Sequence, residues 1–145
     1  DGGLRMIEFF SGIGGMRLAV ENALTQQSEQ DDDASSVSFC QAYDIASLHA
    51  NQTYEHNFEK DLVCSKLVEQ LKPKDLDGKA DLWTMSPQYQ AFTATRGANV
   101  LDIDDKQCNG LKAIIRLLTD IKEKPRYILL EDVKGFATSR MVEKW

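Results

Sequence analysis

The sequence predicts an α/β fold, a three-layer sandwich built on a mostly parallel sheet. Three observations predict it. Short apolar runs alternate with amphipathic stretches, a glycine cluster follows the first run, and an acid closes the second. Strands that alternate with helices return to one sheet through crossovers, which makes neighbouring strands parallel.

Leu4 to Phe10 (LRMIEFF) reads as a buried strand, and Gly12, Gly14 and Gly15 as the tight turn that ends it. Met16, Ala19, Val20, Ala23 and Leu24 then recur at helical spacing. Thr25 to Ser36 (TQQSEQDDDASS) is acidic and aperiodic, which predicts a solvated, flexible loop over residues 25–36. Val37 to Tyr43 is the second strand, closed by Asp44, and a helix is expected from about Ser47 to Asn57. Asp61 to Leu71 also reads as helical, with Pro73 to Lys79 as a connector. Ala80 to Ser86 is a further strand that leads into a polar loop from Pro87 to about Asp104. Leu111, Ile114, Ile115, Leu118 and Ile121 mark a strong helix. Behind Pro125, the run Arg126 to Leu130 (RYILL) predicts a buried strand. Ala137 to Trp145 reads as the start of a helix, and the sheet is expected to be truncated at its C-terminal side.

The 145 residues suit one domain, and 42% hydrophobic with 28% charged residues is an ordinary globular composition. No apolar run approaches the roughly 20 residues of a membrane span, and no leader pattern precedes the first strand. An intracellular location, cytoplasmic or nuclear, is the expectation. Cys40, Cys64 and Cys108 are odd in number and lack CxxC spacing, which argues against a disulfide framework and against a metal site. A net charge of −6 is unlike a chain that grips nucleic acid unaided.

A strand, a glycine turn and a helix place backbone N–H groups where they can meet an anion. Gly12-x-Gly14-Gly15 is not the GxGxxG dinucleotide spacing, and a glycine-rich turn also serves structure alone. Asp44 adds to it, because an acid at the end of the second strand can accept hydrogen bonds from ribose hydroxyls. The plainer reading of Asp44 is a helix N-cap.

Glu8-Phe9-Phe10-Ser11-Gly12-Ile13-Gly14-Gly15-Met16 closely resembles the first motif of the cytosine-5 methyltransferases, an F/Y-S-G-x-G-G turn. Asp44-Ile45 is similar to that family's ribose- and adenine-holding pair, and Ala50-Asn51, Tyr54 and Asn57-Phe58 to its next helix. Glu131-Asp132-Val133-Lys134-Gly135-Phe136 resembles the family's E-N-V-x-x-F motif. The order and family-like spacings hold over nearly the whole chain, with the interval before the Ala50-Asn51 helix one residue longer than the family's. Thr84 to Pro87 and Tyr127 to Glu131 look most like the branch that methylates a transfer-RNA cytosine, and DNA-acting members carry related motifs.

The resemblance implies a Rossmann-like methyltransferase fold and S-adenosylmethionine as cofactor. By position, Phe10, Ser11, Gly12, Ile13, Gly14 and Gly15 would approach its methionine part, Asp44 the ribose, and Ile45 the adenine. Asp61 would meet the adenine amino group, or else is a solvent-facing acid at a helix start. Pro87 belongs to the same set. The family's thiolate attacks C6 of a cytosine lifted from its stack, and a glutamic acid at the position of Glu131 hydrogen-bonds N3.

The family's catalytic loop reads P-C-Q-[PA]-F-[ST], whereas this chain reads Pro87-Gln88-Tyr89-Gln90-Ala91-Phe92-Thr93. Tyr89 stands at the cysteine position, with Gln90 beside it as in the family. A phenol of pKa about 10 is a poor nucleophile toward C6. Losing the nucleophile typically costs several orders of magnitude in rate, so the chain is expected to be catalytically dead. Asp132 replaces asparagine, and a carboxylate beside Glu131 would tend to raise its pKa if the two approach.

The family's Q-x-R-x-R segment, target-recognition region and closing motif are not found, so residues 1–145 read as the N-terminal part of a methyltransferase domain. Nucleic acid, transfer RNA or DNA, is the partner of the whole family and is expected to bind this chain weakly or not at all. A protein partner that covers the exposed sheet flank is a second expectation. Three functions compete: an enzyme fragment, a non-catalytic S-adenosylmethionine-binding or protein-interaction module, and a nicotinamide-dependent oxidoreductase. The turn spacing and the Glu131 motif argue against the last.

Overall fold

The computed structural model describes residues 2–28, 36–44, 47–87 and 106–144. Five strands, β1 (Leu4–Phe9), β2 (Val37–Tyr43), β3 (Val63–Cys64), β4 (Leu82–Met85) and β5 (Tyr127–Leu130), form one sheet in the order β3-β2-β1-β4-β5. Every adjacent pair is parallel. The chain winds outward from β1 through β2 to β3, then returns to lay β4 on the other side of β1.

The helices are α1 (Gly15–Ser28), α2 (Leu48–Asn57), the single turn α3 (Pro73–Leu76) and α4 (Asn109–Asp120). Side chains alternate across the pleat of β1 and sort the layers. Ile7 and Phe9 enter the large core with Trp83, Met85, Leu111, Ile114 and Leu117, the face that α4 covers. Met6 enters a smaller core with Cys40 and Leu82, against which Val20 of α1 packs. Glu8 shares that second face and reaches Tyr54 of α2. A sheet between α1 and α2 on one side and α4 on the other is the Rossmann-like sandwich expected from the sequence.

Five expectations change in detail. Thr25 to Ser28 belong to α1 rather than to the acidic loop. The apolar stripe ends at Leu24, but polar residues continue the helix, and Thr25 Oγ1 bonds back to Glu21 O at 2.9 Å. Residues 29–35 of that loop lie outside the described residues. Asp61 to Leu71 is not a helix: Gln41 Nε2 and Ala42 N–H both donate to Leu62 O and draw the next two residues into the sheet as β3. A 3₁₀ turn at Val68–Gln70 follows. The Pro73 to Lys79 connector contains α3, with Pro73 as its first residue.

The RYILL run does form a strand, but it is not buried. Tyr127, Ile128 and Leu129 are 52%, 40% and 49% exposed, because β5 is the edge of the described sheet. Residues 137 to 144 form two 3₁₀ turns, Phe136–Thr138 and Val142–Lys144, rather than a helix start. Extended Ser139 separates them, and Met141 is anchored in the core at 0% exposure.

Candidate active site

Phe9 pairs with Met85, and Met85 with Leu130, so the segments after β1, β4 and β5 all leave the same edge of the sheet. The order in which strands are added reverses between β1 and β4, and in open parallel sheets that switch point leaves a crevice for ligands.

The first segment is the glycine turn. Phe10 N–H donates to Tyr43 O at 2.8 Å and Ser11 N–H to the same oxygen at 3.4 Å. Gly12 N–H donates to Asp44 Oδ2 at 2.7 Å. The end of β1 is thus tied to the end of β2, and Asp44 is 7% exposed within that junction. The capping alternative for Asp44 falls away: Ser47 is the N-cap of α2, its Oγ accepting from Ala50 N–H at 3.3 Å.

Phe10 has φ of 56°, a left-handed conformation that a bulky residue adopts at a cost of about 1–3 kcal/mol. A Cβ added to Gly110 would lie 2.8 Å from Phe10 Cε1, so the start of α4 must be bare for that ring to pack. Gly14, at φ of 92°, is required twice over, since an added Cβ would lie 2.3 Å from Phe58 Cε2. Ser11 Oγ is buried and has no hydrogen-bond partner. An orphan hydroxyl between turn amides and a carboxylate suits a polar, nucleoside-type ligand. Ile13, by contrast, is 58% exposed.

Asp61 is not brought to this cluster. It lies exposed, at φ of 63°, in the turn before β3, at the opposite end of that strand from the ligand edge. The register Tyr43↔Cys64 sets Ser65, one step on, level with Asp44. Asn51 Nδ2 clamps the two ends, donating to Asp44 O at 3.2 Å and to Ser65 Oγ at 3.1 Å. Spacing in the sequence carries no register, so Ser65 was not legible there.

The second segment joins β4 to β5. Ser86 Oγ donates to Glu131 Oε2 at 2.7 Å, and Glu131 N–H to Met85 O at 2.9 Å. Glu131 is exposed and Pro87 is buried. Tyr89, Gln90 and Ile45 lie outside the described residues. Asp132 is the carboxyl pushed up here, first by burial, opposed by the Val133 N–H, and reinforced by the charge of Glu131. Its Oδ2 is buried without a partner. Of the cysteines, Cys40 and Cys108 are buried, and Cys64 is on β3, at the far side of the sheet from β4. Among the described residues no acidic, histidine and cysteine groups gather into a metal site.

Glu8 was missed as a site candidate. It is 1% exposed and bonded to Tyr54 and to the first turn of α1. The available signal was an acid placed inside the apolar run LRMIEFF, a local violation that marks functional or strained positions.

The family model described as C-5 cytosine-specific DNA methylase matches residues 4–145. The chain is 37% identical over 137 residues to a DNA (cytosine-5)-methyltransferase of Dictyostelium discoideum, covering 92% of this chain and 32% of that protein. It is 34% identical over 137 residues to a tRNA (cytosine(38)-C(5))-methyltransferase of Rattus norvegicus, covering 94% and 32%. Among solved structures, the Entamoeba histolytica methyltransferase EhMeth superposes with a TM-score of 0.77 at 25% identity, covering 99% of this chain and 42% of that one. The chain spans about a third of the length of these curated relatives.

Proposed function

The chain belongs to the C-5 cytosine-specific DNA methylase family, and from that premise we propose that it binds S-adenosylmethionine at the glycine turn and transfers no methyl group itself. One observation carries the cofactor reading: the 2.7 Å bond from Gly12 N–H to Asp44 makes the turn and the acid a single unit. The buried, unpartnered Ser11 hydroxyl beside them supports it. In this reading Phe10 to Gly15 hold the methionine part, Asp44 accepts the ribose hydroxyls, and Ile45 faces the adenine. Asp61, at the far end of β3, drops out. When bound, S-adenosylmethionine supplies an activated methyl group.

In this reading Glu131 is the acid that meets N3 of the cytosine ring. Ser86 donates to its Oε2 at 2.7 Å, which fixes one oxygen of that carboxyl. Tyr89 carries the prediction of inactivity, because a neutral phenol cannot replace a thiolate in attack on C6. The substrate class of an active relative is cytosine in transfer RNA or DNA, and the Thr84 to Pro87 and Tyr127 to Glu131 segments favour transfer RNA. A net charge of −6 supports weak nucleic-acid binding by this chain. The exposed apolar side chains of β5 support a companion role in which a protein surface covers that flank. No helix among the described residues is long and apolar enough to cross a membrane.

Calorimetric titration with S-adenosylhomocysteine tests the reading. Micromolar binding by the chain and a loss of about 100-fold in Asp44→Ala are expected, since that change also orphans the Gly12 N–H. No binding by a folded chain would end the cofactor assignment. Turnover on transfer RNA or DNA with labelled S-adenosylmethionine would end the assignment of inactivity.

A further inference from the structure

Beneath the glycine turn lies a buried polar group that the cofactor reading does not use. Glu8 projects from near the C-terminal end of β1 toward the face covered by α1 and α2. Its Oε1 accepts from Arg17 N–H at 3.3 Å, and its Oε2 from the Tyr54 hydroxyl at 3.0 Å. Tyr54, itself 0% exposed, presses its ring on Gly14: a Cβ there would sit 3.0 Å from Tyr54 Cδ2. Phe58 packs tilted against Tyr54, ring centres 4.8 Å apart, and carries the Arg17 guanidinium 4.3 Å from its ring centre. Tyr54 and Phe58 lie on the same face of α2 as Asn51, which holds Asp44. One helix therefore touches both halves of the ligand corner.

Resting on the cofactor reading above, we propose that Glu8 is its positioning residue: from inside the sheet its carboxylate draws the first turn of α1 and Tyr54 of α2 together, and so sets the glycine turn between them. A carboxylate at a helix N-terminus makes charge-assisted bonds roughly twice as strong as neutral ones. Burial pushes the Glu8 carboxyl up to about 7, with the Tyr54 hydroxyl and Arg17 opposing. The grip accordingly tightens as pH rises through neutrality. The groups that face Glu8 are Arg17 from α1, Tyr54 from α2 and Cys40 from β2, with Glu21 of α1 paired to Arg17 behind them. Its β4 neighbour is Thr84, whose buried hydroxyl has no partner. Burial raises both Tyr54 and Cys40, so they keep their protons over this range and Glu8 is the group that changes.

The test is S-adenosylhomocysteine titration of the full chain at about pH 6 and about pH 8, with amide exchange read at Met16 and Arg17. The unaltered chain should bind about five- to tenfold more tightly at the higher pH, the gain that a ligand-linked shift approaching one pKa unit gives. Glu8→Gln, isosteric with the protonated acid, should bind with the weaker affinity at both and exchange those amides faster at about pH 8. Tyr54→Phe keeps the ring on Gly14 but removes a donor, and should move the midpoint of the pH profile upward. A Glu8→Gln profile that follows the unaltered chain, or an unmoved midpoint in Tyr54→Phe, would overturn the proposal. If the unaltered chain binds nothing at either pH, the cofactor reading falls, and the exchange comparison alone decides: unchanged rates overturn the positioning role, faster rates uphold it.

Discussion

The corner where β1 and β2 end and the edge where β4 and β5 end are made from the same part, a parallel strand that closes on an acid. They are held differently. At the corner Asp44 and Glu8 are 7% and 1% exposed, and each is bonded to backbone from another element. At the edge Glu131 is exposed, with Ser86 its neighbour at 2.7 Å, and three of the four β5 residues are exposed. The contrast separates two tasks. Holding a ligand needs pre-set donors and acceptors in a dry place, and the corner has them. Acting on a base needs a nucleophile, and in the proposed reading position 89 holds a tyrosine where the family resemblance implies a cysteine.

Breaking the corner should cost far more than altering the edge. Gly14→Ala combines a left-handed φ with a Cβ 2.3 Å from Phe58, so a loss of about 4 kcal/mol in unfolding free energy is expected, read by urea denaturation. A loss below about 1 kcal/mol would show that α2 swings aside easily and that the corner is less rigid than its contacts imply.

Glu8 gives a subtler cut. Its folded pKa, about 7, lies above the ordinary 4.5, so the folded chain holds this proton more firmly than the unfolded one. The contribution to stability is complete below about pH 4.5 and is lost as pH climbs through 7. The span corresponds to about 3 kcal/mol at about 1.4 kcal/mol per pKa unit. Glu8→Gln should remove this component, flattening the decline in unfolding free energy between about pH 5 and pH 8. A variant with the decline intact would place the proton elsewhere. Stability and ligand grip then pull in opposite directions at neutral pH, as expected where a site is pre-organised at the expense of fold stability.

At the edge, Ser86→Ala removes a bond to an exposed carboxylate and should cost less than about 1 kcal/mol while leaving S-adenosylhomocysteine affinity unchanged. An affinity change of tenfold would mean that the two regions are coupled across β1 and β4, which would blur the comparison.

Much of this molecule was present in the amino-acid order. The apolar period of Leu111 to Ile121, the strands from Leu4, Val37 and Leu82, and the turn at Gly12 to Gly15 follow from local patterning, because helix and strand periods and left-handed turns are dictated by residues near in sequence. The absence of a cysteine at position 89 is likewise a fact of the sequence. Tertiary structure alone decided the rest. Whether Asp44 capped α2 or joined the glycine turn was decided by a contact across 32 positions, Gly12 to Asp44, and Asp61 was set at the far end of β3 by a strand register that spacing does not encode. Whether Tyr127 to Leu129 are buried depended on what lies beside β5, not on how apolar they are. Glu8 is the sharpest case: its composition says solvent, and only the layers closing over β1 turn it into a buried acid that titrates near neutrality.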